Sequence, residues 1–107
     1  MKILLKIKSN QEVECYEAMA LAMTLATFDN EVQIWLDSAC FGILLNPNSR
    51  LAGMIKSLDL YDLPKAWLND DVFSGWLTGM LDMTIAKQLT SVPETINLKN
   101  FDEVLTF

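Results

Sequence analysis

Residues 3–37 read ILLKIKSNQEVECYEAMALAMTLATFDNEVQIWLD, and this stretch decides the fold. Ile3-Leu4-Leu5-Lys6-Ile7 is a short aliphatic run, the pattern of a strand buried on both faces of a parallel sheet, and predicts a central first strand. Ser9 and Glu12 stand at capping-box spacing. Val13, Tyr16, Ala20, Met23 and Thr27 then recur every three or four residues, so a long helix is expected to about Phe28. Asp29-Asn30 is turn chemistry, and Val32, Ile34 and Trp35-Leu36 form a β-rich run that closes on Asp37-Ser38. Strand, helix and strand in this order make a β-α-β unit.

Working outward, Phe41 to Leu45 stays apolar until Asn46-Pro47-Asn48-Ser49 breaks the chain. Leu51, Met54, Ile55 and Leu58 then mark a second helix. Pro64 closes that region, and Ala66-Trp67-Leu68 reads as a third strand ending at Asn69-Asp70-Asp71, where acids suit a helix start. A short helix through Phe73, Trp76 and Leu77 follows. Met83-Thr84-Ile85-Ala86 is assigned as a fourth strand, Ser91 with Glu94 repeats the capping-box spacing around Pro93, and Val104-Leu105-Thr106-Phe107 is a fifth. The expected fold is a single α/β domain over 1–107, a three-layer parallel sheet of about five strands flanked by helices. In such sheets ligands sit at the carboxyl ends of the strands, which directs attention to the loops 8–11, 37–40, 69–71 and 87–90.

Composition narrows function. The chain has 107 residues, an apolar fraction of 51%, and 14 acids against 8 bases for a net charge of −6. A phosphate backbone finds no basic footprint there, so direct nucleic-acid binding is not expected. The longest apolar stretches fall short of the roughly 20 residues that span a bilayer. With no secretory pattern, the cytoplasm is the expected compartment, and Cys15 and Cys40 are expected as reduced thiols. The absence of His removes the commonest general base and the commonest zinc ligand together.

Known site patterns are missing as well. Lys8-Ser9-Asn10-Gln11 lacks the glycines a dinucleotide pyrophosphate needs, and Glu12 with Asp37 does not make the acidic cluster of a phosphate-accepting receiver. Asp70-Asp71 reads as helix-dipole partners rather than an acid/base pair. Met19, Met23, Met54, Met80 and Met83 read as core filling rather than soft-metal ligands. No metal and no cofactor is expected.

Three segments, in order and spacing over nearly the whole chain, resemble the DsrE/DsrF-like sulfur-relay family, closest to its DsrF/TusC branch. Residues 34–45 (IWLDSACFGILL) are similar to the family's apolar strand, Asp-Gly turn and Phe-containing helix start. Residues 58–68 (LDLYDLPKAWL) are similar to its Leu-Gly-Leu-Tyr-Asp segment and Trp-bearing strand, and residues 101–107 (FDEVLTF) to its aromatic-Asp strand ending on Phe. The chain departs from the family in Asp37-Ser38-Ala39, which replaces the Asp-Gly turn, and in a shorter first loop over 9–12.

The resemblance implies a DsrEFH-like fold in a flavodoxin-like arrangement. It also implies a non-catalytic subunit of a cytosolic sulfur-relay complex, serving tRNA wobble thiolation or sulfur oxidation. Its partners would be cysteine-bearing homologous subunits, DsrE/TusD-like and DsrH/TusB-like, or copies of itself. Sulfur-carrying members hold a cysteine just after the third strand, and here that place falls on Asn69, whose amide cannot form a persulfide. Two other readings stay open: an independent sulfur carrier using Cys40 at a strand end, and a homo-oligomeric binding module of unknown ligand. Cys15 lies beside Glu14, and nearby acids make it a poor nucleophile. Trp67, Phe73 and Trp76 are the candidate interface residues of an expected oligomer, with ordinary core as the competing role.

Overall fold

A computed structural model describes residues 1–69 and 79–107. Five strands, β1 (Lys2–Ile7), β2 (Glu31–Leu36), β3 (Ala66–Leu68), β4 (Leu89–Ser91) and β5 (Glu103–Thr106), form one parallel sheet in the order β4-β3-β2-β1-β5, flanked by helices. β1 is an interior strand, with β2 on one side and β5 on the other. Ile3, Leu5 and Ile7 alternate onto one face with Val32, Ile34, Leu36, Ala66, Leu68 and Leu89, and there they meet the helices in one apolar core. Leu4 points the other way and is also fully buried, which is why the run carries no polar alternation.

Each step from β1 to β2, β3 and β4 advances one place in the same direction. Right-handed crossovers therefore put the β1–β2 and β2–β3 connections on a single face. The return from β4 to β5 runs along the opposite face by the same rule. There Phe101 meets Trp67 edge to face at 6.4 Å, and Trp67 meets its register partner Trp35 at 6.2 Å. Lys6 lays its ammonium 3.9 Å over the Trp35 ring.

Helix α1 (Glu12–Thr27) buries Cys15, Ala18, Met19, Ala22 and Met23. Its start differs from the capping-box expectation. Ser9 accepts the Gln11 N–H at 3.0 Å, a turn closed two residues on, and Gln11 occupies the cap position without a side-chain bond. Glu12 is thereby free to reach another helix, and its Oε1 accepts from the Arg50 N–H at 2.7 Å, at the N-terminus of the helix Arg50–Lys56. At the far end Asp29 takes φ 65, the left-handed turn that delivers the chain into β2.

After β2 a 3-10 turn (Ser38–Cys40) and the single-turn α2 (Phe41–Leu44) precede α3 (Arg50–Lys56). Ser49 joins them: its hydroxyl accepts from the Ala52 N–H and donates to the Ile43 carbonyl, both at 3.1 Å. The fourth strand is not at residues 83–86, where a one-turn helix (Met83–Ala86) stands, capped by Asp82, which accepts from the Thr84 N–H at 2.9 Å. Ile85 is buried there while Met83 is 85% exposed, a one-sided helical distribution. The strand lies at Leu89–Ser91, where a loop was expected, with Leu89 opposite Ala66. Ser91 is consequently a strand residue and caps nothing. The one helical turn before β5 is a 3-10 turn, Leu98–Asn100, capped by Asn97.

Candidate functional site

Two side-chain groupings occupy the carboxyl edge of the sheet, one on each side. On the aromatic side, Asn69 directly follows β3 and shares its parity with Trp67, so it faces Trp35 across the strand boundary. The Trp35 indole N–H donates to Asn69 Oδ1 at 2.8 Å, and Asn69 Nδ2 donates to Asp37 Oδ1 at 2.7 Å. Asp37 is itself anchored where its N–H donates to the Ile7 carbonyl at 2.9 Å, in continuation of the β1–β2 ladder. The amide of Asn69 thus has both ends engaged and joins β2 to β3 beyond their last ladder pair. The place the family resemblance gives to a sulfur-carrying cysteine is a latch here.

On the helix side, Cys40 ends the 3-10 turn after β2, and Cys15 sits in the first turn of α1. Both are fully buried free thiols. Cys15 Sγ lies 3.2 Å from the Ser9 carbonyl oxygen, and Cys40 Sγ lies 3.5 Å from that oxygen and 3.4 Å from the Ile7 carbonyl oxygen. The two thiols thus share the Ser9 carbonyl oxygen as an acceptor. Burial, with Cys15 and its hydrogen bond adding to it, pushes the Cys40 thiol up to about 12. Burial also raises Cys15, opposed by the hydrogen bond from Cys40 and assisted by Glu14 and Glu12. The acids singled out from sequence act in the expected direction, but removal from water is the larger cause. A thiolate is scarce at either sulfur near neutral pH.

The structure therefore separates Asn69 from Cys40 by side of the sheet and joins Cys40 to Cys15, a residue that sequence reasoning had set aside. Trp67 is half-buried in the aromatic row. Phe73 and Trp76, like Asp70 and Asp71, lie outside the described residues. Residues 87–90 lead into β4 at its amino end, so they do not join the carboxyl edge. Asp37 and Trp35 were missed as partners of Asn69. The available signal was that Asp37 and Asn69 each stand first after neighbouring strands.

At the opposite, amino end of the sheet an open groove of about 820 Å³ is lined by Lys2, Gln33, Tyr61, Asp62, Trp67 and Phe101, among others. Among the described residues no three of Cys, Asp and Glu converge as a metal-ligand set, and no helix is long and apolar enough to cross a membrane. The class defined by fold and site is a parallel α/β domain with a polar latch and a buried dithiol at its carboxyl edge. Compared with protein-family models, curated proteins and solved structures, the chain matches none.

Proposed function

We propose that the chain is a non-catalytic partner subunit of a sulfur-relay assembly, of the DsrF/TusC kind. The observation that carries this reading is the engagement of Asn69: where a relay subunit would offer a thiol, this chain has an amide bonded on both sides to Trp35 and Asp37. Such a position cannot take a persulfide, and its rigidity suits a surface that holds a neighbour rather than one that reacts. In this reading the cysteine-bearing homologues supply the chemistry, and the half-buried Trp67 lies on the side of the sheet they would approach.

The competing carrier role for Cys40 is disfavoured, because the thiol is fully buried and held at about 12. The binding-module reading draws on one specific feature, the aromatic-lined groove at the amino end of the sheet.

The test is capture of partners by the tagged chain from the extract of its native cell, with mass spectrometry of the bound proteins and sedimentation of the isolated chain. Recovery of a homologous α/β subunit carrying a cysteine after its third strand is the expected result. A chain that recovers none and sediments only as self-oligomer would overturn the relay reading in favour of the binding module.

A further inference from the structure

The Cys15 and Cys40 thiols converge on one acceptor, the Ser9 carbonyl oxygen, at 3.2 and 3.5 Å, yet the latch around Asn69 uses neither of them. From this juxtaposition we propose that Cys15 and Cys40 are a dithiol site that closes to an intramolecular disulfide within the folded domain, with a low-molecular-weight disulfide as oxidant. The pair is distinct from the relay reading and does not depend on it.

Three features make the pair a site rather than two separate core cysteines. The sulfurs come from different elements, the first turn of α1 and the turn after β2, so closure needs no slippage of the sheet. They lie under one short cover, residues 8–11, in which Lys8, Asn10 and Gln11 are exposed and Ser9 is half-buried. Within the cover Ser9 Oγ accepts from the Gln11 N–H at 3.0 Å, and its two ends are held where the Lys8 N–H donates to the Phe107 carbonyl at 2.6 Å and the Gln11 carbonyl accepts from the Cys15 N–H at 3.0 Å. Ser9 and Asn10 lie between those anchors and outside the β1–β2 ladder, so their displacement would open a path to the sulfurs without unpairing the strands.

The exchange balances without any group supplied by the protein beyond the two thiols. Cys15 loses its proton to water, and its sulfur attacks one sulfur of the oxidant. The oxidant's S–S bond breaks, and one thiolate leaves and takes up a proton. Cys40 then loses its proton and attacks the Cys15 sulfur. The Cys15–Cys40 bond forms, the mixed disulfide breaks, and a second thiol is released, so the two electrons end on the oxidant. Cys15 reacts first because burial holds the Cys40 thiol the higher of the two, at about 12.

The experiment equilibrates native protein and the same chain unfolded in urea against stepped ratios of reduced to oxidised glutathione. Samples are quenched in acid, weighed intact, and mapped by proteolysis without reductant. The expected folded product is lighter by about 2 Da, links Cys15 to Cys40, and forms with an equilibrium constant at least about tenfold above that of the unfolded chain, because folding raises the effective concentration of one thiol at the other. C15S and C40S should lose the mass change. The wild-type comparison decides the matter even if those variants fold poorly. A folded constant equal to or below the unfolded one, a stable glutathione adduct in place of the link, or a link between chains would each overturn the proposal.

Discussion

Replacing Asn69 with Ala removes two hydrogen bonds at once, the neutral one from the Trp35 indole and the charge-assisted one to Asp37. Both are partly buried, so water recovers some of the loss. A neutral bond contributes about 1 kcal/mol and a bond to a charged group about 1.5 kcal/mol or more, which sets the expected destabilisation of Asn69→Ala at about 2–3 kcal/mol. In urea unfolding followed by Trp fluorescence this is a fall in midpoint of about 1–2 M at unchanged slope. Trp35→Phe alone is a poor probe of the latch, because it also alters the contacts with Trp67 and Lys6. The double-mutant cycle separates these contributions: Asn69→Ala with Trp35→Phe should couple by about 1 kcal/mol. A loss below about 0.5 kcal/mol for Asn69→Ala, with no coupling to Trp35, would mean that the amide is not a latch. Position 69 would then be no rigid surface for a neighbour, although its amide still could not take a persulfide.

Two further outcomes follow from the buried edge. The folded chain holds the Cys40 proton up to about 12, whereas the ordinary thiol value is 9.0. The unfolded state therefore releases its proton first, and the stability contributed by this group is complete below about pH 9 and declines as pH rises toward 12. Urea unfolding between pH 8.5 and 11 should show a slope of stability against pH that is shallower in Cys40→Ala than in the wild type, by at most about 1.4 kcal/mol per pH unit; superimposable slopes would contradict it. Ser49→Ala should cost about 1–2 kcal/mol in a thermal melt, since it strips the cap from the Ala52 N–H and leaves the Ile43 carbonyl without its hydroxyl donor. An unchanged midpoint would count against that double role.

Local pattern was enough to place β1, α1 and β2, because an aliphatic run, a helical spacing and a turn each leave their mark within a few residues. The buried face of α1, however, is Cys15, Ala18, Met19, Ala22 and Met23, and of the expected stripe Val13 and Thr27 are exposed. The boundary of α1 was legible only to within a turn. Ser9 and Glu12 have the spacing of a capping box, but Glu12 finds a better donor at Arg50 in another helix. Met83-Thr84-Ile85-Ala86 was misread because four mixed residues fit a strand as well as a helical turn. The choice was made by Asp82 capping the turn and by Leu89, which enters the sheet opposite Ala66. The site was less legible still. Asn69 meets Asp37 and Trp35 from 32 and 34 residues away. Cys15 meets Cys40 because parallel pairing of β1 with β2 brings the start of α1 and the turn after β2 under the same Ser9 carbonyl. Residue patterning by itself determined β1, α1 and β2 and that the sheet is parallel, but not whether residues 83–91 enter it as helix or strand. Which loops share an edge, and which side chains meet there, was decided by strand order and register, because those contacts are made only after the long-range backbone ladder has formed.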